Sequence, residues 1–307
     1  MGSVRTACLS VMVCAAVCVC RAEAASWAWR KVSGTYAPGG TVGVTVKVVP
    51  AAGTKGITVT ETAPSGWTIL SANPQWAKHA DPVTYTWLLF DTAGVAPFTI
   101  TYTLKATDTA RGVCDLAGTI RTSAEGLIPT RGDNVLSDGS PVLSQVSCGQ
   151  GWTPFSLPVD IALSAQGLLD LVRSQGGAPL EVAEWTGTEW RSHPDGVAFN
   201  NFQIRPGKGY FLRCASACTI TLTGPLLISV VLALQEGWNL VGLPAGSYTA
   251  QSVADIVNSQ SGGCAEIAQK DGANWTVFSA GSGGDGFAVV SGRGYFIRCS
   301  RQSVAEF

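Results

Sequence analysis

Gly-Lys-Gly-Tyr-Phe-Leu-Arg-Cys at residues 207–214 returns as Gly-Arg-Gly-Tyr-Phe-Ile-Arg-Cys at residues 292–299. An offset of 85 or 86 residues also relates further matches, which are Gly151-Trp152 with Gly237-Trp238, Leu157-Pro158 with Leu243-Pro244, and Trp190 with Trp275. A constant period is the sequence signature of a duplicated structural unit. We therefore predict two copies of one GW…GYF unit, at residues 141–224 and 228–307.

Each copy is predicted to be β-rich with one short helix. Ser164 and Thr249 are suitable helix N-caps, because a hydroxyl oxygen can accept hydrogen bonds from free N–H groups of the first turn. Apolar residues follow both at the helical spacing i, i+3, i+4, i+7, namely Ala165, Leu168, Leu169 and Val172, and Ala250, Val253, Ala254 and Val257. One apolar stripe of each helix should therefore pack against the strands.

Residues 27–139 are predicted to form an all-β domain. Thr41–Val48 and Phe98–Leu104 alternate between apolar and polar residues, as half-buried strands do. Gly- and Pro-rich turns separate these runs, and about seven short strands over this length suit an Ig-like sandwich. Other sandwich topologies remain open. The whole chain is thus predicted to be mainly all-β, with an Ig-like β-sandwich followed by two β-rich repeats.

The first 24 residues have the pattern of a secretory signal peptide. Arg5 precedes the apolar stretch Ala7–Cys20, and Ala22-Glu23-Ala24 provides a cleavage site. We expect cleavage after Ala24 and a location outside the cell or in the cell envelope. A lipoprotein would need a small residue before Cys18 or Cys20, and both follow valine. No transmembrane segment is expected in the mature chain, because the apolar run Leu226–Leu234 is too short to cross a bilayer.

Charge argues against nucleic acid as a partner. Removing the leader leaves 18 basic and 20 acidic residues, so the mature chain is near neutral. Electrostatic capture of DNA or anionic lipid is therefore not expected.

Six cysteines remain after the leader, and an even number in an exported chain predicts disulfides. Of the fifteen possible connectivities, the repeat favours Cys214–Cys218, which flank a three-residue hairpin. Ser303 stands in the second copy where Cys218 stands in the first, so Cys264 is predicted to pair with Cys299. Cys114–Cys148 follows by elimination.

Catalytic, metal-binding and cofactor-binding motifs are lacking in the sequence. His79 and His193 are the only histidines, and we expect them at the surface or in capping positions. No HExxH helix and no GxSxG elbow occurs. Both G-x-G sequences are predicted to be turns before strands, because aromatic residues rather than a helix follow them. Asp170 and Asp255 recur, and a secreted hydrolase with unrecognised carboxylates is kept as a third hypothesis.

Tryptophan is the one residue type that suggests binding, with ten in the chain. Trp190 and Trp275 recur, which is typical of core positions, but exposed tryptophans stack on sugars. Trp27 and Trp29 lie beside the predicted mature N-terminus. These four are the candidate ligand-stacking residues. The sequence Arg131-Gly132-Asp133 is predicted to be a turn rather than an adhesion motif, and the loops within 190–202 and 278–287 are predicted as the first place for an interaction surface.

Two resemblances add to this interpretation. Tyr36–Gly40 and the E-x-x-P-x-G-W sequence of Glu61–Trp67 resemble Ig-like modules of bacterial surface and secreted proteins. Gly237–Pro244 with the GYF sequence resembles the GWN-L-x-x-LP…GxGYF repeats of such proteins, from which the first copy departs at Thr153 and Pro154. The resemblance implies a bacterial extracellular module for adhesion or spacing, not a catalytic one.

The expected function is a non-catalytic, secreted or cell-envelope protein that serves as a surface interaction or structural module. The alternative is a carbohydrate-binding protein or accessory subunit of a secreted enzyme. The partner would be an extracellular or envelope protein or a glycan, with no cofactor.

Overall fold

The computed structural model describes residues 25–79 and 81–307 of the chain. The predicted signal peptide lies outside the described residues. Strands dominate what is described, and only two short helices occur in it, so the predicted mainly all-β class is confirmed. Within the described residues, neither helix is long and apolar enough to cross a membrane.

Residues 27–137 form two five-stranded sheets around one hydrophobic core, here called the sandwich. Its strands are β1 (Trp27–Val32), β2 (Thr41–Val49), β3 (Gly56–Thr62), β4 (Thr68–Asn73), β5 (Lys78–His79), β6 (Thr84–Phe90), β7 (Phe98–Lys105), β8 (Val113–Asp115), β9 (Ala117–Thr122), β10 (Gly126–Pro129), β11 (Arg131–Gly132) and β12 (Val135–Ser137). The sheets have the orders β11-β1-β2-β7-β4 and β10-β9-β3-β6-β5, and β12 pairs with β8. Valines on β2 alternate inward as the sequence pattern predicts.

The first unit, residues 141–225, contains one four-stranded sheet and one helix. Its elements are β13 (Pro141–Cys148), β14 (Gly151–Ser156), β15 (Leu163–Ser164), α1 (Ala165–Ser174), β16 (Pro179–Trp185), β17 (Trp190–Pro194), β18 (Gln203–Ile204), β19 (Gly209–Cys214) and β20 (Cys218–Pro225). The sheet order is β14-β19-β16-β17, while β13 pairs with β20 and β15 with β18.

The second unit, residues 231–307, has the same strand order. Its elements are β21 (Val231–Leu234), β22 (Gly237–Gly242), β23 (Tyr248–Thr249), α2 (Ala250–Gln260), β24 (Cys264–Asp271), β25 (Asn274–Ser279), β26 (Ala288–Val289), β27 (Gly294–Cys299) and β28 (Ser303–Glu306). The sheet β22-β27-β24-β25 matches the first unit strand for strand, as do the pairs β21-β28 and β23-β26.

Both helices begin at the predicted caps. The Ser164 hydroxyl accepts a hydrogen bond from the Gly167 N–H. Thr249 forms a capping box with Ser252, in which each side chain accepts from the other residue's N–H. The apolar stripes predicted from the i, i+3, i+4, i+7 spacing are buried in both helices.

The two units meet through reciprocal backbone hydrogen bonds. The Ser156 N–H donates to the Gly292 carbonyl at 3.0 Å, and the Gly242 N–H donates to the Gly207 carbonyl at 3.1 Å. Gly207 and Gly292 have φ of 80° and 86°, a region that glycine adopts without strain. The recurring G-x-G sequences are thus turns, as predicted, and they also join the units as a twofold dimer interface would.

Gly209 is expected to be intolerant of even one added methyl group. A Cβ on it would lie 2.8 Å from the Val241 carbonyl oxygen and 2.9 Å from Leu240 Cγ, so Gly209→Ala should push the two units apart. We expect a loss of about 1–3 kcal/mol of unfolding free energy, measured by urea denaturation. Gly149→Ala is the control, because its Cβ would be no closer than 3.7 Å to any neighbour. Equal stability of the two variants would contradict this packing.

The sandwich contacts the second unit around Arg131-Gly132-Asp133. Gly132 and Ser247 exchange two backbone hydrogen bonds, and Arg131 forms an ion pair with Asp285 at 2.9 Å. Asp133 is only 2% exposed, and it accepts hydrogen bonds from the Val32 N–H and the Tyr248 hydroxyl. Burial raises the pKa of this carboxyl. Gly132 and Asp133 are therefore buried, and Arg131 is partly buried. Arg131 and Gly132 form the short strand β11, where a turn was predicted.

Candidate functional site

An aromatic face covers the sheets where the two units meet. Phe211 on β19 and Phe296 on β27 lie at its centre, with ring centroids 6.4 Å apart. Trp190 on β17 packs 6.2 Å from Phe296, and Trp275 on β25 packs 6.5 Å from Phe211. Each tryptophan therefore reaches across to the other unit. Both are 50% exposed, so each keeps part of its ring available to a ligand.

The other two recurring tryptophans are covered by arginines. The Arg213 guanidinium lies 5.7 Å from the Trp152 ring centroid, and the Arg298 guanidinium lies 5.9 Å from that of Trp238. Such cation–π contacts occupy a ring face. Trp190 and Trp275 carry no such cover, so they are the two tryptophans of the face that are best placed to stack on a ligand.

A reciprocal pair of polar contacts fixes the edges of the face. The Trp185 indole N–H donates to the Trp238 carbonyl at 2.7 Å. At the matching position of the second unit, the Lys270 ammonium donates to the Trp152 carbonyl at 3.3 Å. The two edges therefore differ in chemistry: one ends on an indole and the other on a cation.

Two grooves adjoin the exposed tryptophans, and Trp190 and Trp275 line both of them. The first has a volume of about 330 Å³ and is almost wholly apolar, with Trp185, Trp238 and Phe296 among its walls. The second has a volume of about 380 Å³ and adds Glu181, Ser192 and Lys270 to its aromatic walls. Both volumes are in the range of small-ligand sites.

A larger and more polar depression continues from the second groove and shares Trp152 and Lys270 with it. Its volume is about 920 Å³, and its lining includes Gln150, Asp271 and Arg293. The aromatic face is therefore continuous with a surface that offers hydrogen-bond donors and acceptors.

The other sequence candidates for binding lie elsewhere. Trp27 and Trp29 are half-buried in β1, and Trp29 packs against the core of the second unit, so these two are not the exposed residues that the sequence suggested. The loops 195–201 and 280–287 contact the first turns of the helices, where Asn201 Oδ1 accepts from the Gln166 N–H and the Asp285 carbonyl accepts from the Gln251 N–H. The aromatic face, rather than these loops, is the better candidate surface.

The six cysteines fall into three places and carry free thiols in the structure. Cys214 and Cys218 have sulfurs 3.8 Å apart, and Cys264 lies opposite Cys299 in the β24–β27 pair, so both predicted pairs are brought together. Cys114 and Cys148 are not: Cys114 packs on the sandwich core and Cys148 belongs to the core of the first unit.

The two histidines belong to different units, His79 to β5 of the sandwich and His193 to β17 of the first unit. His193 is fully buried between the Phe199 carbonyl and the Gln166 side-chain oxygen, so it is not at the surface, which was one of the two placements expected from the sequence. His79 stacks on Tyr85 at 4.3 Å. In residues 25–79 and 81–307, no cluster of three His, Cys, Asp or Glu side chains is suited to hold a metal.

Asp170 and Asp255 each form a hydrogen bond within their own helix. Each accepts a hydrogen bond from the glutamine four residues earlier, Gln166 and Gln251 respectively. This is the usual role of an i, i+4 pair on a helix surface.

No protein-family model matches the chain, and no curated protein matches it significantly. The aromatic face therefore has to be interpreted from its own chemistry.

Proposed function

We propose that the protein is a non-catalytic, secreted or cell-envelope binding protein that takes a carbohydrate chain on its aromatic face. The observation that carries the proposal is the pair of half-exposed tryptophans, Trp190 and Trp275, held across the seam between the two units. The predicted signal peptide supports a location where such a ligand would be met.

Carbohydrate fits this face better than a purely apolar ligand does. A sugar ring presents C–H groups on its faces and hydroxyls at its rim, so it matches an aromatic platform bordered by polar groups. The second groove has this composition, because Glu181, Ser192 and Lys270 surround Trp190 and Trp275.

The shape favours an oligosaccharide over a single sugar. Two grooves and the adjoining polar depression form a continuous series that shares Trp152, Trp190, Trp275 and Lys270. Several consecutive sugar rings would occupy more of this surface than one ring. A scaffold role for the sandwich fits its own hydrophobic core and its contacts with the second unit.

The experiment is a glycan array followed by calorimetry on the best ligand, with the variants Trp190→Ala, Trp275→Ala and both together. Truncating a central aromatic contact in a binding site costs about 2 kcal/mol or more, so each single variant should lose about 30-fold in affinity and the double variant should not bind measurably. Phe90→Ala is the control, because Phe90 is an aromatic residue on the sandwich that is at least as exposed, at 71% against 50% for each tryptophan.

Unchanged affinity in the double variant would exclude the aromatic face as the binding site. If the array shows no glycan ligand and a pull-down from envelope extract returns a protein that depends on Trp190 and Trp275, the face is a protein-binding surface instead. Turnover of a polysaccharide that a single carboxylate substitution abolishes would refute the non-catalytic assignment.

A further inference from the structure

Three cysteines converge at one corner of the first unit. Cys214 ends β19 and Cys218 begins β20, with their sulfurs 3.8 Å apart. Cys148 ends β13 and lies directly opposite Cys218 in the antiparallel β13–β20 pair. Directly opposed strand residues have Cα atoms about 4.5–5.5 Å apart, which is within the range that a disulfide spans. Cys218 therefore has two candidate partners.

The second unit offers a natural comparison at the same corner. Leu234 lies opposite Ser303 there, at the positions of Cys148 and Cys218, so neither of these two residues carries a thiol. Cys299 keeps the position of Cys214, and Cys264 lies opposite it. The second unit thus has two thiols with one possible pairing, whereas the first has three thiols around a common neighbour.

Accessibility separates the three thiols of the first unit. Cys148 and Cys214 are buried, and Cys218 is partly exposed. Burial, followed by the neighbouring Cys214, raises the pKa of Cys148 to about 12. Burial, followed by Cys218, likewise raises the pKa of Cys214 to about 12. An external disulfide can therefore approach Cys218 first, and the two buried thiols can act only after it.

We propose that Cys148, Cys214 and Cys218 form a thiol–disulfide exchange site in which Cys218 is the shared sulfur. Cys218 first reacts with a low-molecular-weight disulfide such as glutathione disulfide and forms a mixed disulfide, releasing one glutathione thiol. The thiolate of Cys214 or Cys148 then attacks the Cys218 sulfur, and the second glutathione thiol leaves. Two protein thiols have been oxidised and one glutathione disulfide has been reduced.

Exchange between the two pairings needs no further oxidant. The Cys148 thiolate attacks the Cys218 sulfur of the Cys214–Cys218 bond and forms the Cys148–Cys218 bond. The Cys214 sulfur leaves as a thiolate and takes up the proton that Cys148 gave up. The bond then joins β20 to β13 instead of to β19. Because the attacking species is the thiolate, exchange should accelerate with rising pH over the range below the thiol pKa values.

The test equilibrates the mature chain with a glutathione redox buffer at pH 7 and pH 9. Free thiols are blocked with a light alkylating reagent, and disulfide-bonded cysteines are then reduced and labelled with a heavy one. Mass spectrometry of the peptides should find Cys218 fully heavy, and Cys148 and Cys214 each partly light and partly heavy. Cys264 and Cys299 lie opposite each other and away from the three-thiol corner, so these two should always carry the same label, which provides an internal control.

Single cysteine-to-serine variants show which of the three cysteines is common to both disulfides. Cys148→Ser and Cys214→Ser should each retain one disulfide in the first unit, whereas Cys218→Ser should retain none. Circular dichroism checks that each variant is folded. A Cys148–Cys214 bond in Cys218→Ser, or a wild-type chain with Cys148 always light and Cys214 always heavy, would overturn the proposal.

Discussion

Replacing Arg30 with methionine is expected to cost about 3–5 kcal/mol of unfolding free energy, because it would strand a buried carboxylate. Arg30 and Glu61 are both fully buried in the sandwich. The Arg30 guanidinium donates to both Glu61 oxygens at 2.8 and 2.9 Å and also to the carbonyls of Leu116 and Asp133. The variant removes all four hydrogen bonds and leaves the charge of Glu61 in place.

The rest of the network cannot compensate for that loss. The Tyr102 hydroxyl donates to Glu61 at 2.7 Å, and burial together with the charge of Glu61 raises the pKa of Tyr102 well above its usual value. Tyr102 therefore stays neutral and offers one hydrogen bond, not a countercharge. The Thr130 hydroxyl donates to the other Glu61 oxygen at 3.4 Å, and it is neutral as well. Two neutral donors do not balance a buried carboxylate.

Urea denaturation measures the effect, and two further variants interpret it. Arg121→Met, on the exposed side of β9 in the sandwich, should change stability by less than about 0.5 kcal/mol. Arg30→Met combined with Glu61→Leu should recover most of the loss, since replacing both members of a buried pair is far less costly than removing one. A loss below about 1 kcal/mol in Arg30→Met would show that Glu61 is not dependent on its partner.

Strand β1 shows why this ion pair could not be predicted from the sequence. Trp27, Trp29 and Lys31 alternate with Ala28, Arg30 and Val32 along this strand, and the structure buries the second set, so a charged residue lies inside the sandwich and the tryptophans are half-buried. Trp29 instead packs on the second unit, and the charge of Arg30 is matched by Glu61, 31 residues along the chain. A pairing that distant leaves no local pattern. Glu61 opens the E-x-x-P-x-G-W sequence, so the ion pair gives that glutamate a physical role.

The helix caps and the shared strand order were predictable because they depend on local sequence and on the repeat itself. The Thr153 departure in the first copy also has a local explanation. Asn239 accepts from the Gln235 N–H and donates to carbonyls of the same turn, while Thr153 keeps the first of these bonds by accepting from the Gly149 N–H. The packing of the sandwich on the second unit rather than on the adjacent first one depends on contacts such as Asp133 with Tyr248, which no spacing reveals.

The candidate site could be predicted only in part from the sequence. Recurrence of Trp190 and Trp275 indicated equivalent positions but could not distinguish a core residue from a surface one. The structure decides the question, because Trp190 and Trp275 are each 50% exposed. Arginines lie over the rings of the other recurring pair, Trp152 and Trp238. Arg213 and Arg298 recur too, which is a signal that sequence reasoning could have used.

Phe307→Ala should also cost about 3–5 kcal/mol of unfolding free energy, because it leaves a cavity in the core of the second unit. The Phe307 side chain is fully buried, and its ring centroid lies 5.8 Å from that of Tyr248 in an edge-to-face contact. Its backbone exchanges two 2.8 Å hydrogen bonds with Val230, which the substitution preserves. The loss of unfolding free energy therefore measures the contribution of the Phe307 ring and not that of the backbone hydrogen bonds.

The same cavity should weaken the junction with the sandwich. Tyr248 packs on Phe307, and its hydroxyl donates a hydrogen bond to Asp133 at 3.1 Å. Without the Phe307 ring the Tyr248 ring is less restrained, so its hydrogen bond to the buried Asp133 carboxylate should weaken. Hydrogen exchange should accordingly rise in β11 and β23 as well as around β28. Phe307→Leu should lose less unfolding free energy than Phe307→Ala, because Leu222 fills the matching position of the first unit. Val304→Ala is the control: Val304 is exposed on β28, so its truncation should change the stability little. Protection of β11 that stays at its wild-type level in Phe307→Ala would show that the sandwich holds to the second unit without this aromatic contact.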